Sequence, residues 1–106
     1  MEIIWGAINA NGTISSSGGG FSVTRQGNGQ YVISFRSLFQ TVPSIVGSQT
    51  NYGNLGESPV DNVAFPLVDT GAATAITGDS QGNRQDRNFS FIAVGKIGPK
   101  NPKFKE

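Results

Sequence analysis

The sequence GGFSVTRQGNGQYVISFRSLFQTVPSIVG, residues 19–47, decides the fold class of this chain. Apolar and polar residues alternate along 21–25 and again along 31–36, which is the pattern of a strand with one buried face. A glycine-rich turn separates the two runs, and a third apolar run follows Pro43. These features predict an antiparallel hairpin followed by a further strand.

The Asn28-Gly29 pair predicts the geometry of the hairpin turn. Asn-Gly between alternating runs favours a type I′ turn, which needs a positive φ at both residues. We expect Leu38 and Phe39 to turn inward beneath the connection that follows. The alternation also predicts which side chains share the inner face of the hairpin: Phe21, Val23, Tyr31, Ile33 and Phe35.

The rest of the chain repeats this pattern of short strands joined by turns. Pro66 indicates an edge strand or a bulge, and apolar residues on both faces of 89–94 favour a central strand. No segment has a helical period. Further strands are predicted over 3–8, 44–50, 60–68, 72–77 and 89–94, with a short one at 13–15. We therefore predict an all-β protein, an antiparallel β-sandwich of about six to eight strands.

Length and charge divide the chain into a body and a tail. The 106 residues suit one domain, which we place at 1–95. Four lysines and one glutamate lie in 96–106, whereas 1–95 contain four arginines and six acidic residues. With its two prolines, the basic segment 96–106 is expected to be disordered.

Targeting and nucleic-acid signals are weak. The N-terminal sequence MEIIWGAINANG lacks a basic region and a long apolar stretch, so we expect no signal peptide. No run approaches the about 20 apolar residues of a membrane span. The net charge of +1 gives no general attraction to nucleic acid or membranes, so neither is an expected partner, and the localisation is left open.

The composition argues against an enzyme and against a cofactor. The chain has no Cys and no His, which removes cysteine nucleophiles and the usual neutral-pH base. The lysines lie mainly in the tail, which cannot hold catalytic geometry. Asp61 and Asp69 are the remaining candidates for a glycosidase-like pair, but isolated acids of this kind are usually solvated. We expect no catalytic residues.

The polar segment 78–88 contains most of the candidate binding residues. Asp79, Asn83 and Asp86 offer oxygens of the kind that calcium prefers, but their spacing does not fit an EF-hand loop. A loop held by Asx turns explains these residues as well. We therefore expect no metal site.

The same segment suits hydrogen bonding to sugar hydroxyls. Asn83, Asp86 and Arg87 supply polar groups, and Tyr52 lies in a Gly/Asn-rich loop where an aromatic side chain is often functional. These four residues are the predicted ligand contacts. Trp5, by contrast, lies in an apolar strand and is expected in the core or in a subunit interface.

Four segments resemble small β-sandwich modules found at the ends of phage tail-fibre proteins and in related bacterial proteins. A broadly similar rhythm of aromatic residues, strands and proline occurs in H-type lectin domains, and the resemblance covers residues 5–95. It implies an oligomer, most often a trimer, that displays loops to glycans or cell surfaces. The segments that carry it are GFSVTR (20–25), GNGQYVISF (27–35), PSIVG (43–47) and TGDSQGNRQDRNFSFIAVG (77–95).

Two functions from different classes follow. The first is a non-enzymatic binding or adhesion module, directed at a glycan or another cell-surface ligand and displayed on a homo-oligomer, with a trimer favoured. The second is a structural subunit, an oligomerisation cap or particle component without a free ligand.

Overall fold

The computed structural model describes residues 1–50, 55 and 58–98, and within them eight antiparallel strands form two four-stranded sheets. The first sheet has the order β2-β1-β8-β5, and the second has the order β3-β4-β7-β6. The strands are β1 Glu2–Ile8, β2 Ile14–Ser17, β3 Phe21–Gly27, β4 Gln30–Phe35, β5 Ser44–Gln49, β6 Val63–Val68, β7 Ala72–Thr77 and β8 Phe89–Gly95. The predicted all-β sandwich is confirmed.

The inner faces of the two sheets form one core, in which aromatic rings join the layers. Phe21 of β3 meets Phe91 of β8 edge to face, with the ring centroids 5.0 Å apart. Tyr31 of β4 lies 5.1 Å from Phe89 of β8. The buried apolar side chains are Ile8, Phe21, Tyr31, Ile33, Phe35, Phe39, Val63, Ala73, Ala75, Phe89, Phe91 and Ala93.

The predicted hairpin is present with the predicted face. Phe21 pairs with Phe35, Val23 with Ile33, and Arg25 with Tyr31. Because strand side chains alternate between faces, these pairs place the predicted apolar set on one side. Inward-facing aromatic and β-branched residues therefore fix the register of β3 against β4.

The predicted type I′ turn is wrong. Gly29 has a φ of 67°, but no described non-glycine residue, Asn28 included, has a positive φ. The register instead shifts between Arg25 and Gly27. The Asn28 side chain explains the difference, since it donates to the Arg84 carbonyl oxygen and accepts from the Asp86 amide. A long-range contact therefore sets the conformation of this turn, which differs from the type I′ geometry that the local sequence predicts.

Other predictions for individual strands also have clear outcomes. β8 lies between β1 and β5, as its apolar character predicted. β6, which contains Pro66, is an edge strand with a register shift between Ala64 and Leu67. Phe39 is buried as expected, whereas Leu38 is 59% exposed. Successive residues of an extended chain point in opposite directions, so only one of these two can turn inward.

Trp5 is not a core residue. Its side chain is 42% exposed on the outer face of the first sheet. The pyrrole part of the indole occupies the space that a side chain at Gly18 would need, so glycine at that position admits the ring. A subunit interface for Trp5 stays a prediction.

The described part of the basic segment is attached to the body. The Gln40 amide donates to the Lys96 carbonyl oxygen, and the Gly98 amide donates to the Leu38 carbonyl oxygen. Ile97 forms an isolated bridge with Phe39. Residues 99–106 lie outside the described range. Within the described residues, no helix is long and apolar enough to cross a membrane.

The contacts between the layers predict a large effect of truncating Phe91. This side chain is 1% exposed and touches Phe21 of the opposite sheet, so Phe91→Ala should lower the free energy of unfolding by about 3–5 kcal/mol. Urea denaturation measures the change. The control is Ser90→Ala, on the outer face of the same strand, which should change it by less than about 0.5 kcal/mol. Equal effects of the two variants would contradict the described packing.

Candidate functional site

One end of the sandwich brings together segments that are distant in the sequence. The turn between β1 and β2 meets the segment before β8, since the Ala10 amide donates to Asn88 Oδ1 at 2.7 Å. The end of β5 meets the same segment, since the Thr50 amide donates to the Asn88 carbonyl oxygen at 3.0 Å. Gln49 Nε2 donates to the Asn62 and Gly78 carbonyl oxygens. This end of the molecule is therefore held by long-range hydrogen bonds.

Asp86 is the most connected side chain at this end. Its carboxylate accepts from Arg25 Nε at 3.0 and 2.9 Å, and Arg25 Nη2 lies 2.9 Å from Oδ2. The Gly29 amide also donates to Oδ1, at 2.8 Å. The Arg25 hydrogen bond and the Gly29 amide lower the pKa of Asp86, so this carboxylate is ionised near neutral pH.

Tyr31 connects the core to the same cluster. Its hydroxyl donates to the Ala10 carbonyl oxygen at 2.7 Å and accepts from the Arg87 amide at 3.3 Å. The hydroxyl oxygen lies 3.4 Å from Asp86 Oδ1. Burial, followed by the negative charge of Asp86, raises the pKa of Tyr31. Tyr31 therefore acts as a neutral hydrogen-bonding link between three segments.

Close backbone approach fixes the hairpin turn against the end of β7. A Cβ atom at Gly29 would lie 2.5 Å from the Thr77 carbonyl oxygen and 2.9 Å from the Gln85 amide nitrogen. Thr77 is fully buried, and its hydroxyl donates to the Gln85 carbonyl oxygen at 2.6 Å. Only glycine fits at position 29, both for its positive φ and for the space.

Arg87 is held by a second carboxylate. Its Nη1 donates to Asp61 Oδ2 at 2.8 Å, and the Arg87 and Asp61 side chains are 25% and 7% exposed. The other carboxylate oxygen of Asp61, Oδ1, is buried and has no hydrogen-bond partner in the part of the chain that the structure describes. An unpaired buried oxygen is rare and lowers the stability of the fold. The Arg87–Asp61 pair therefore leaves one hydrogen-bond acceptor unsatisfied just beneath the surface among the described residues.

Asn83 belongs to a local loop rather than to the Asp86 cluster. Asp79 Oδ1 accepts from the Gln81 and Asn83 amides, both at 2.9 Å. The Asp79 amide donates back to the Asn83 carbonyl oxygen. The backbone hydrogen bond from Asn83 lowers the pKa of Asp79. These contacts are the Asx-turn arrangement, and they give Asp79 and Asn83 a structural role.

A cavity of about 140 Å³ opens at this end of the sandwich. Backbone and side-chain hydrogen bonds between its walls hold its shape, as described above. Among the described residues, the buried hydroxyl oxygen of Thr50 has no hydrogen-bond partner. The residues that line the cavity are Ala10, Gln49, Thr50, Asp86, Arg87 and Asn88. We call this cavity the loop-end pocket.

The loop-end pocket includes two of the four residues predicted as ligand contacts. Asp86 and Arg87 lie in its wall, whereas Asn83 forms the separate Asp79 loop. Tyr52 lies outside the described residues. Sequence reasoning missed Thr50, because a threonine at the end of a predicted strand carries no signal of its own.

The carboxylates of this region point to different partners. Asp86 pairs with Arg25, Asp61 with Arg87, and Asp79 with backbone amides of its own loop. Among residues 1–50, 55 and 58–98, no three His, Cys, Asp or Glu side chains form a group suited to a metal ion. The oxygens considered for calcium in the sequence are therefore not gathered around one point.

Comparison of the chain with protein-family models, with curated proteins and with solved structures gives no match. The resemblance to phage tail-fibre modules and H-type lectin domains thus stays a prediction. The described contacts establish a pocket whose lining segments are joined by hydrogen bonds, with Asp86, Arg87 and Thr50 among its lining residues.

The lowered pKa of Asp86 predicts a pH-dependent effect of Asp86→Asn. The stabilisation from the ionised carboxylate is complete above the pKa of an unfolded aspartate, about 3.9, and is lost as pH falls through the lower pKa of the folded state. At about pH 7 the variant should lose about 1–2 kcal/mol of unfolding free energy, because the ion pair is partly exposed to solvent.

Urea denaturation of both proteins over a series of pH values measures this difference. It should shrink as the pH falls below about 3.9, where the wild-type carboxyl also becomes neutral. A difference that stays constant down to the acid limit of the folded state would contradict the assigned role of the Asp86 charge.

Proposed function

We propose that this chain is a non-enzymatic binding or adhesion module, and that the loop-end pocket accepts part of a polyhydroxylated ligand such as a terminal sugar of a cell-surface glycan. The observation that carries the proposal is the buried, unpartnered hydroxyl of Thr50 in a pocket lined by Asp86 and Arg87. Sugar hydroxyls both donate and accept hydrogen bonds, so they match a wall that contains an acceptor and a donor, with the Thr50 hydroxyl buried behind it.

The size of the pocket favours a small group over a large ligand. Pockets for drug-sized molecules have volumes of about 300–1,000 Å³, whereas this one has about 140 Å³. A single ring or its substituents would enter, and the remainder of a longer glycan would lie across the surrounding loops. Tyr52 is two residues beyond Thr50 in the sequence, and it remains our candidate for stacking against such a ring.

The support around the pocket also favours binding. The Asp86 carboxylate joins the β3–β4 hairpin to the segment before β8, and Tyr31 joins both to the turn after β1. A site whose walls are fixed before the ligand arrives loses little conformational entropy on binding. The Asp86 carboxylate is held by Arg25 and by the Gly29 amide, and we propose binding without catalysis.

Thr50→Val tests the proposal. Among the described residues the hydroxyl of Thr50 has no hydrogen-bond partner, so the variant should lose no unfolding free energy and should gain about 1 kcal/mol from removal of an unpaired buried polar atom. If the hydroxyl contacts the ligand, hits of the wild-type protein on a glycan array should weaken by about tenfold or more in the variant.

The control is Thr24→Val, the same change at an exposed, outward position of β3, which should leave array binding unaltered. Tyr52→Ala should also reduce the hits. Absence of any hit for the wild type, or equal hits for Thr50→Val and the wild type, would contradict a sugar site in the loop-end pocket.

One observation favours the alternative function, a structural subunit with no free ligand. The outer face of the first sheet exposes apolar side chains, among them Trp5 and Ile92, as an assembly surface would. A stable assembly that binds no glycan on the array would favour this alternative over the adhesion module.

A further inference from the structure

Two amide side chains of the loop-end pocket are held in fixed orientations by their own hydrogen bonds. Gln49 is the last residue of β5, and Asn88 directly precedes β8, the strand with which β5 pairs. Both residues line the pocket, and neither is among the ligand contacts that the sequence predicts. Their hydrogen bonds show which end of each amide remains available to a ligand.

Gln49 offers a hydrogen-bond acceptor. Its Nε2 atom lies 2.7 Å from the Asn62 carbonyl oxygen and 2.7 Å from the Gly78 carbonyl oxygen. Carbonyl oxygens only accept hydrogen bonds, so the atom between them must be the amide nitrogen, and both of its hydrogens are used. The Oε1 atom has no hydrogen-bond partner in the described part of the chain.

Asn88 offers a hydrogen-bond donor. Its Oδ1 atom lies 2.7 Å from the Ala10 amide nitrogen. A backbone amide only donates, so the atom that it contacts must be the side-chain oxygen. The Nδ2 atom carries two hydrogens and has no acceptor among residues 1–50, 55 and 58–98.

Both unused amide atoms are open to solvent. Among the described side chains, the buried nitrogen and oxygen atoms without a hydrogen-bond partner are Thr50 Oγ1 and Asp61 Oδ1. The unpaired Gln49 Oε1 and Asn88 Nδ2 atoms are therefore not buried, and a ligand reaches them without rearrangement of the wall. Because hydrogen bonds at the other end of each amide hold it in place, ordering these two groups costs little on binding.

The charged side chains of the pocket are already engaged in other contacts. Asp86 Oδ1 accepts from Arg25 Nε and from the Gly29 amide, and Oδ2 accepts from Arg25 Nε and lies 2.9 Å from Arg25 Nη2. A carboxylate has about four acceptor sites, so these contacts use most of the capacity of Asp86. The Arg87 guanidinium is likewise paired, with Asp61 at 2.8 Å.

We infer that the loop-end pocket recognises an uncharged hydroxylated ligand, a neutral sugar rather than a sugar acid, through Gln49 Oε1 and Asn88 Nδ2. This inference rests on the proposed function, and it adds the class of sugar and two specificity-determining residues. A sugar hydroxyl donates to Gln49 Oε1, and a hydroxyl or ring oxygen accepts from Asn88 Nδ2. Asp86 and Arg87 act as positioning residues that hold the wall.

The charge balance of the site disfavours an anionic ligand. One carboxylate, Asp86, and one guanidinium, Arg87, line the pocket, and each is paired with an opposite charge, Arg25 and Asp61 respectively. A sugar carboxylate would either lie beside Asp86 without a partner or draw Arg87 away from Asp61. The Asp61 side chain is 7% exposed, so loss of its partner would leave a nearly buried charge uncompensated.

Matched pairs of sugars test the class of ligand. A glycan array carries each neutral hexose beside its hexuronic acid: galactose with galacturonic acid, glucose with glucuronic acid, and mannose with mannuronic acid. For the pair that binds the wild-type protein, the neutral member should bind at least about tenfold more tightly than the acid. Its affinity should change by less than about twofold between about 0.1 M and about 1 M salt, because the ligand has no charge to be screened.

Asn88→Asp tests the donor. The variant keeps an oxygen that accepts from the Ala10 amide, so the fold should be retained, and circular dichroism checks this. It replaces the Nδ2 donor by a second, charged oxygen. Hits on neutral sugars should therefore weaken by about tenfold or more.

The matched control is Asn11→Asp, in the turn between β1 and β2. Asn11 Oδ1 accepts from the Thr13 amide and hydroxyl, and its Nδ2 atom has no partner among the described residues. The chemical change is thus the same as at Asn88, but Asn11 does not line the pocket. This variant should bind neutral sugars as the wild type does.

Two results would overturn this inference and leave the proposed function standing. The first is binding of the sugar acid at least as tight as that of its neutral counterpart, with both weakened in Thr50→Val. The second is equal binding of neutral sugars by Asn88→Asp and Asn11→Asp. Absence of any hit for the wild type, neutral or acidic, would overturn the proposed function and this inference with it.

Discussion

The carboxylate of Asp86 is the link on which the candidate site depends. It joins Arg25 of β3, the Gly29 amide of the hairpin turn and, through the Tyr31 hydroxyl, the turn that follows β1. A side chain that first suggests a sugar contact thus has a structural role, and it shapes the pocket wall as well as lining it. The Asp86 carboxylate therefore influences both the charge and the position of the wall that a ligand of the loop-end pocket would contact.

The sequence predicts the strands better than the site because the two depend on contacts of different range. Alternation along 21–25 and 31–36 is local, so it identifies the β3–β4 hairpin and its inner face. The turn type is not local. Asn28 bonds to Arg84 and Asp86 far along the chain, and these bonds replace the geometry that Asn-Gly favours in isolation. The sequence does not indicate Thr50 for a similar reason. Whether its hydroxyl is buried and lacks a described partner depends on residues that are distant in the sequence.

Trp5 and β8 show a second limit of reasoning from pattern. Apolar residues on both faces correctly predict that β8 is a central strand. They do not show whether each face of the strand is covered by the same chain or by another chain. The same pattern predicts the core or a subunit interface for Trp5, and the structure places it on an outer face, over Gly18. Exposure of Ile92 and Val46 beside it leaves the subunit interface as the remaining prediction.

The most direct measurement is a titration of the ¹⁵N-labelled protein with simple sugars, followed by amide chemical shifts. The account predicts saturable shifts confined to Ala10, Thr50 and residues 86–88, with the outer face of the first sheet unchanged. Shifts that are absent for every sugar, or that concentrate on the sheet around Trp5 and Ile92 instead, would contradict a ligand site in the loop-end pocket.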